Sequence, residues 1–134
     1  MPRLQNGLLA ASAIGETLLG IGVLTWPRQL AALLLGGPLG DDGVLLARCF
    51  GVAVIGVGLA WWFAKGTTRG CRESAPGYLV YNLGVGATIA FYALSAAGHV
   101  MLLWSIALLH LALGLAFAAA ALPLQTGFRP TARR

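Results

Sequence analysis

Apolar residues in this chain fall into four long runs separated by short polar punctuation, with neither the alternation of a half-buried strand nor the narrow stripe of a surface helix. The first, Leu8 to Trp26 (LLAASAIGETLLGIGVLTW), is long enough to cross a bilayer as a helix. The pattern predicts spans at about 6–26, 44–64, 76–96 and 99–122. Trp26-Pro27 ends the first run, because Trp favours the membrane interface and Pro blocks continuation of a helix. Arg28 to Leu35, stopped by Gly36-Gly37-Pro38, reads as a short helix lying at the interface or over the mouth of a bundle. Pro76 marks a place where the third helix can begin, and Gly98 predicts a tight return that makes the third and fourth spans antiparallel neighbours. The expected fold is an all-α, integral membrane four-helix bundle of up-down topology, a single domain over 1–134, with a short interfacial helix after the first span.

Composition agrees with the pattern. With 58% hydrophobic and only 10% charged residues and a mean hydropathy of +0.81, the chain is too apolar for a soluble domain. The net charge of +5 is not gathered into a basic face with interleaved aromatics, so nucleic acid is not an expected partner. The cations sort by segment instead. Arg3, then Lys65, Arg69 and Arg72, then Arg129, Arg133 and Arg134 lie on one side of the predicted membrane; the other side sets Arg28 against Asp41 and Asp42. The positive-inside rule places both termini in the cytoplasm, as expected of a multi-pass protein of a bacterial inner membrane. Ala11-Ser12-Ala13 has the form of a signal-peptide cleavage site, but the apolar pattern runs on past it to Trp26. Asp41-Asp42 reads as a solvated turn, and Cys49 and Cys71 show no CxxC or His spacing that would indicate a disulfide or zinc.

Polar residues inside the runs are the candidate chemistry, since an ionisable group in a span normally faces a protein interior or a wet cavity and finds a partner. Glu16 lies near the middle of the first span. Ser12, Glu16 and Gly20 share a face, with Gly15 and Gly22 as a second small stripe beside it. Arg48 lies about one turn inside the second span, next to a stripe of Ala47, Gly51 and Gly58. Its depth differs from that of Glu16 by only about 6 Å, so a Glu16–Arg48 ion pair is the preferred reading, with snorkelling of Arg48 to the nearby headgroups as the alternative. The third span is the most polar. Tyr81, Gly84, Thr88, Tyr92 and Ser95 share one face with Tyr78 and Asn82 beside it, and Asn82 is expected to hydrogen-bond across helices. His110 lies mid-span at about the depth of Glu16, while His99 is at a boundary; three turns apart on one helix, the two cannot ligate a haem iron from both sides. Trp61, Trp62 and Phe63 read as an interfacial anchor. Gly15, Gly20, Gly22 and Trp26 recur 36 residues later as Gly51, Gly56, Gly58 and Trp62, through a duplicated element or shared Gly-rich composition.

The mid-span Glu followed by LLGIGVL and a Pro, then LARCFGVAVIGVGLAWW, then YN in the third span and LLH in the fourth, resembles a group of small bacterial membrane proteins close to the DoxX-like four-helix proteins. That resemblance implies a quinone-linked redox assembly, a lipophilic small-molecule site and partner subunits; it carries no catalytic residue onto this chain. Three function classes follow from the residues. In an intramembrane acid/base enzyme (an isomerase, cyclase or epoxide-opening enzyme), Glu16 and His110 would be acid and base. Arg48 would steady a charge there, and Asn82, Tyr81 and Tyr78 would bind the ligand. In a small multidrug exporter, Glu16 would serve proton and cation, although an adjacent Arg would repel the drug and the Lys/Arg bias is strong. In a structural subunit of a membrane complex, or a homodimer, the polar groups would fasten helices. No metal site and no firm cofactor are read from the residues; quinone is the ligand that the resemblance implies.

Overall fold

The computed structural model describes residues 2–95 and 100–125. Five helices follow in order: α1 (Pro2–Thr25), α2 (Pro27–Leu35), α3 (Asp41–Ala64), α4 (Thr68–Ser95) and α5 (Val100–Gln125). Among the described residues there is no strand, and α1, α3, α4 and α5 are long and apolar enough to cross a membrane. The fold is the expected all-α four-helix bundle with a short helix after the first span, and its four apolar helices are those of a multi-pass membrane protein. The return at Gly98, His99 and the C-terminal arginines lie outside the described residues.

Local chemistry sets most helix ends. Trp26 leaves helical geometry (φ −127°, ψ 54°) because the following proline disfavours it, and Pro27 opens α2, where its missing N–H costs nothing. Gly36 closes α2 in the left-handed region (φ 80°), donating its N–H to the Ala32 carbonyl at 3.1 Å. Asp41 and Asp42 form the first turn of α3, where carboxylates complement the helix dipole, and Arg28 pairs with Asp41. The α3–α4 connection turns at Gly66 (φ 95°), whose N–H is accepted by Asn6 Oδ1 at 2.9 Å.

The start of α4 differs from the sequence expectation. The helix begins at Thr68, eight residues before Pro76, which lies inside it. Thr67 caps it: its Oγ1 accepts the Gly70 N–H at 2.9 Å and its carbonyl accepts the Cys71 N–H at 3.0 Å. An Arg69–Glu73 pair one turn apart adds to this polar opening.

Packing divides the bundle into two close pairs, α1 with α3 and α4 with α5, in looser contact with each other. Glycines make the closeness. A Cβ on Gly51 would come within 2.8 Å of the Gly20 carbonyl, and one on Gly58 within 2.9 Å of the Ala13 carbonyl. Gly86 stands equally close to the Ala107 carbonyl in the second pair. Gly15 meets nothing within 4 Å, so of the expected second stripe only Gly22 touches a neighbour, Leu30. Gly56 also meets nothing, although its counterpart in the 36-residue recurrence, Gly20, is packed; the recurrence is not a packing repeat.

The outer surface of the bundle is apolar: Leu46, Val52, Val80, Phe91, Leu94 and Met101 are all exposed, as suits a lipid solvent. Trp62 and Phe63 belong to this surface, Trp62 with the Lys65 ammonium 3.6 Å over its ring. Trp61 does not. It is buried with Leu9, Tyr78 and Phe117 in the core at the Lys65 end, which corrects its reading as an anchor: adjacent helical residues point about 100° apart, so one of the Trp pair turns inward.

Candidate functional site

The Ser12, Glu16, Gly20 face of α1 is buried as expected, and it turns Glu16 toward the α4–α5 pair. The carboxyl is held there by two side chains. Tyr81 donates its hydroxyl to Glu16 Oε2 at 2.7 Å, and His110 Nε2 stands 3.5 Å from Oε1. The Glu16 and His110 side chains are only 7% and 8% exposed, so the group exchanges little with any surrounding solvent. His110 is fixed from its other side, Nδ1 lying 3.0 Å from the Ile106 carbonyl on its own helix.

One turn toward the Lys65 end, Tyr78 shares a 2.7 Å hydrogen bond with Ser12 and is stacked on Phe117 at 4.4 Å between ring centres. Trp61 fills the space between the two tyrosines, tilted against Tyr78 at 4.8 Å and edge-on to Tyr81 at 5.1 Å. This aromatic packing closes the Lys65 side of the site. Toward α2 the bundle opens instead into a cavity of about 360 Å³. All five helices line it: Leu19 of α1, Leu34 of α2, Phe50 of α3, Tyr81 and Val85 of α4, and Leu103 and His110 of α5 among them. Its wall is apolar except for Tyr81, Thr88, Tyr92 and His110. Glu16 does not reach it. The carboxyl sits behind Tyr81 and His110, which touch both the acid and the cavity.

Four of the six residues singled out from the sequence are thus gathered: Glu16, His110 and Tyr81 directly, and Tyr78 beside them. Asn82 is fully buried beside Gly114 of α5 but makes no hydrogen bond to Glu16, Tyr81 or His110. Its Nδ2 donates to the Tyr78 carbonyl at 3.0 Å on its own helix, and its Oδ1 has no hydrogen-bond partner among the described residues. Its expected cross-helix bond is not made.

Arg48 is the clear correction. It is exposed and makes no ion pair with Glu16, whose partners are Tyr81 and His110. The contacts of Gly51 with Gly20 and Leu24 set the α1–α3 register, and three residues further toward α2 Arg48 is level with Thr25, about 13 Å from the level of Glu16. It also flanks the buried stripe of Gly51, Val54 and Gly58 instead of joining it.

Sequence reasoning missed Trp61 as a wall of the site, and it missed the fastening of Asn6, which accepts from both the Gly66 N–H and the Cys71 thiol. Gln5, Ser12 and Glu16 recur along one helical face, and that recurrence was the available signal that the buried side of α1 continues to its first turns. Among the described residues no three His, Cys, Asp or Glu side chains come together to hold a metal ion.

Fold and site together define a small multi-helix membrane bundle with a Glu–Tyr–His cluster at the head of an apolar cavity. No protein-family model matches the chain, and neither a curated protein nor a solved structure matches it.

Proposed function

We propose that this protein binds a lipophilic small molecule in the cavity beneath α2, with His110 and Tyr81 as its polar contacts and the Glu16 carboxyl tied to both from behind. The observation that carries this reading is the meeting of an apolar cavity of about 360 Å³ with two hydrogen-bonding side chains that are both tied to one buried carboxyl. Ligand sites have this character: apolar walls, a few placed polar groups, and volumes of roughly 300–1,000 Å³. A subunit whose polar groups served only to join helices would need no such void.

A small exporter that captures cations on a carboxylate fits less well, because Glu16 lies behind the wall and not on it. Quinone, the ligand that the DoxX-like resemblance implies, belongs to the class that such a cavity accommodates, and an acid/base reaction on a lipid-soluble substrate would use His110 as the group in reach of it. On the positive-inside rule, the Lys65 end faces the cytoplasm of a bacterial inner membrane and the cavity lies in the outer half of the bilayer.

The test is native mass spectrometry of the protein purified in mild detergent, with extraction and identification of bound lipids and quinones, on the wild type and on Val85→Phe, which fills the cavity. A defined small molecule retained by the wild type and lost from Val85→Phe is the expected result. Equal retention by both proteins would refute a ligand site in this cavity.

A further inference from the structure

We infer that Glu16 and His110 hold one proton between them, and that the cavity therefore selects a neutral molecule carrying a hydrogen-bond-accepting oxygen, such as a ketone or quinone carbonyl, over a cation. This names the ligand class for the site above and rests on that reading. The Ile106 carbonyl can only accept, so its 3.0 Å contact requires a hydrogen on His110 Nδ1. In a neutral ring Nε2 is then a bare lone pair, and it faces Glu16 Oε1 at 3.5 Å. If the carboxyl were also ionised, two lone pairs would oppose each other between side chains only 7% and 8% exposed.

The charge balance leads to the same count. Tyr81 satisfies Oε2, but among the described residues no Lys or Arg reaches the carboxyl: Arg48 is exposed, and α3 brings no other ionisable group to it. An ionised carboxylate alone in such surroundings is costly, and so is a lone imidazolium. With no shared proton the pair would be a net anion; with two it would be a net cation. One proton leaves it neutral, whether as acid and imidazole or as carboxylate and imidazolium.

Geometry then decides how the cavity meets that proton. Only His110 of the two lines the cavity, so of these two forms it is the carboxylate–imidazolium one, with the proton on Nε2, that offers the cavity a donor, and it is this form that we assign. The separation from Oε1 is longer than the usual 2.7–3.2 Å of an N–H···O bond, so the carboxyl does not clamp the proton, and an acceptor in the cavity can compete for it. A cation would find no net charge to compensate its own desolvation; a neutral carbonyl gains a hydrogen bond and loses little on leaving the lipid.

The experiment uses three probes of one ring system, titrated into purified protein in detergent: acetylnaphthalene, isopropylnaphthalene as its hydrocarbon isostere, and trimethyl(naphthyl)ammonium. The ketone should bind about five- to ten-fold more tightly than the hydrocarbon, one net hydrogen bond's worth, and the cation more weakly than either. In His110→Phe the preference of ketone over hydrocarbon should vanish while both still bind. Preferred binding of the cation would overturn the shared proton and leave the ligand cavity standing; failure of all three probes, with no ligand retained natively, would overturn the cavity reading.

The proton itself is read without any ligand. Nitrogen NMR of labelled histidine, together with the infrared carboxyl difference between wild type and Glu16→Gln, should show an imidazolium beside an ionised carboxyl; a protonated carboxyl beside a neutral ring would remove the donor from the cavity and overturn the selection. An ionised carboxyl beside a neutral ring would refute the inference.

Discussion

Replacing Gly51 with alanine tests a close backbone contact between α1 and α3, and the outcome can be worked out from distances. The new Cβ would lie 2.8 Å from the Gly20 carbonyl oxygen, 3.0 Å from the Leu24 nitrogen and 3.4 Å from the Leu24 Cα. All three are backbone atoms of α1, so no side chain can swing aside. The helices must part by roughly half an ångström, and a gap of that size forfeits about a quarter of each neighbouring dispersion contact. Overpacking of this kind costs about 1–3 kcal/mol. Alanine also favours the helix over glycine by about 0.8–1.0 kcal/mol, which partly offsets it.

Gly56→Ala, five residues along the same helix, isolates the steric part, because a Cβ there meets nothing within 4 Å and only the helix preference changes. Unfolding by sodium dodecyl sulfate in mixed micelles, followed by circular dichroism, should therefore place Gly51→Ala about 1–3 kcal/mol below Gly56→Ala. Gly56→Ala itself should equal or exceed the wild type. If the two variants were equally stable, α1 and α3 would not be in backbone contact at Gly20, and the register that carries Arg48 away from Glu16 would fall with it.

Further predictions use the same unfolding assay. Tyr81→Phe removes the hydroxyl donated to a buried carboxyl and should cost about 1–3 kcal/mol. Tyr78→Phe should cost less, since the Ser12 hydroxyl left behind can turn to a carbonyl of its own helix; the reverse order would contradict the assigned partners. Arg48→Gln should leave stability within about 0.5 kcal/mol of the wild type, as an exposed side chain without an ion pair should, and a larger loss would reinstate a partner for it. Thr67→Ala removes the cap of α4 and should cost about 1 kcal/mol, with Thr67→Ser restoring most of it; no loss in Thr67→Ala would show that α4 does not depend on that hydroxyl.

The number and class of helices were legible because uninterrupted apolar runs are the strongest signal a membrane sequence carries. Pro27 and Gly36 marked both ends of α2 for equally local reasons. The start of α4 was not legible from Pro76, since a proline at a helix start and one inside a helix look alike until the Thr67 cap is seen. The site was legible in part. Glu16 and His110 meet because each is mid-span and depth alone brings them level. Arg48 was misplaced because depth counted along single helices fixes neither their mutual register nor their rotation, and both depend on which glycines touch. Trp61 was misread for a related reason: in sequence it is indistinguishable from Trp62, and only the rotation of α3 separates a core residue from a lipid-facing one.

The two close helix pairs bear on whether the buried polar groups are fasteners or a site. In lipid there is no hydrophobic force between helices, so association relies on close packing and polar contacts. The glycine contacts that permit close packing lie mainly within the pairs: Gly20, Gly51 and Gly58 join α1 to α3, and Gly86 and Gly114 join α4 to α5. The seam between the pairs is held differently. Ser12 to Tyr78, Glu16 to Tyr81 and Glu16 to His110 all cross it, and Asn6 fastens its Lys65 end. At about 0.6 kcal/mol for an average interhelical hydrogen bond in a membrane, these contacts amount to about 2–3 kcal/mol in all. A ligand of modest affinity contributes as much. The cavity is lined from both pairs, so a ligand there, as proposed, would bridge the seam that the polar contacts hold, and by linkage whatever either does to the other is reciprocal. On the proposed reading one set of groups both fastens and binds, and a substitution that loosens the seam at Glu16 should weaken ligand retention even though Glu16 does not line the cavity.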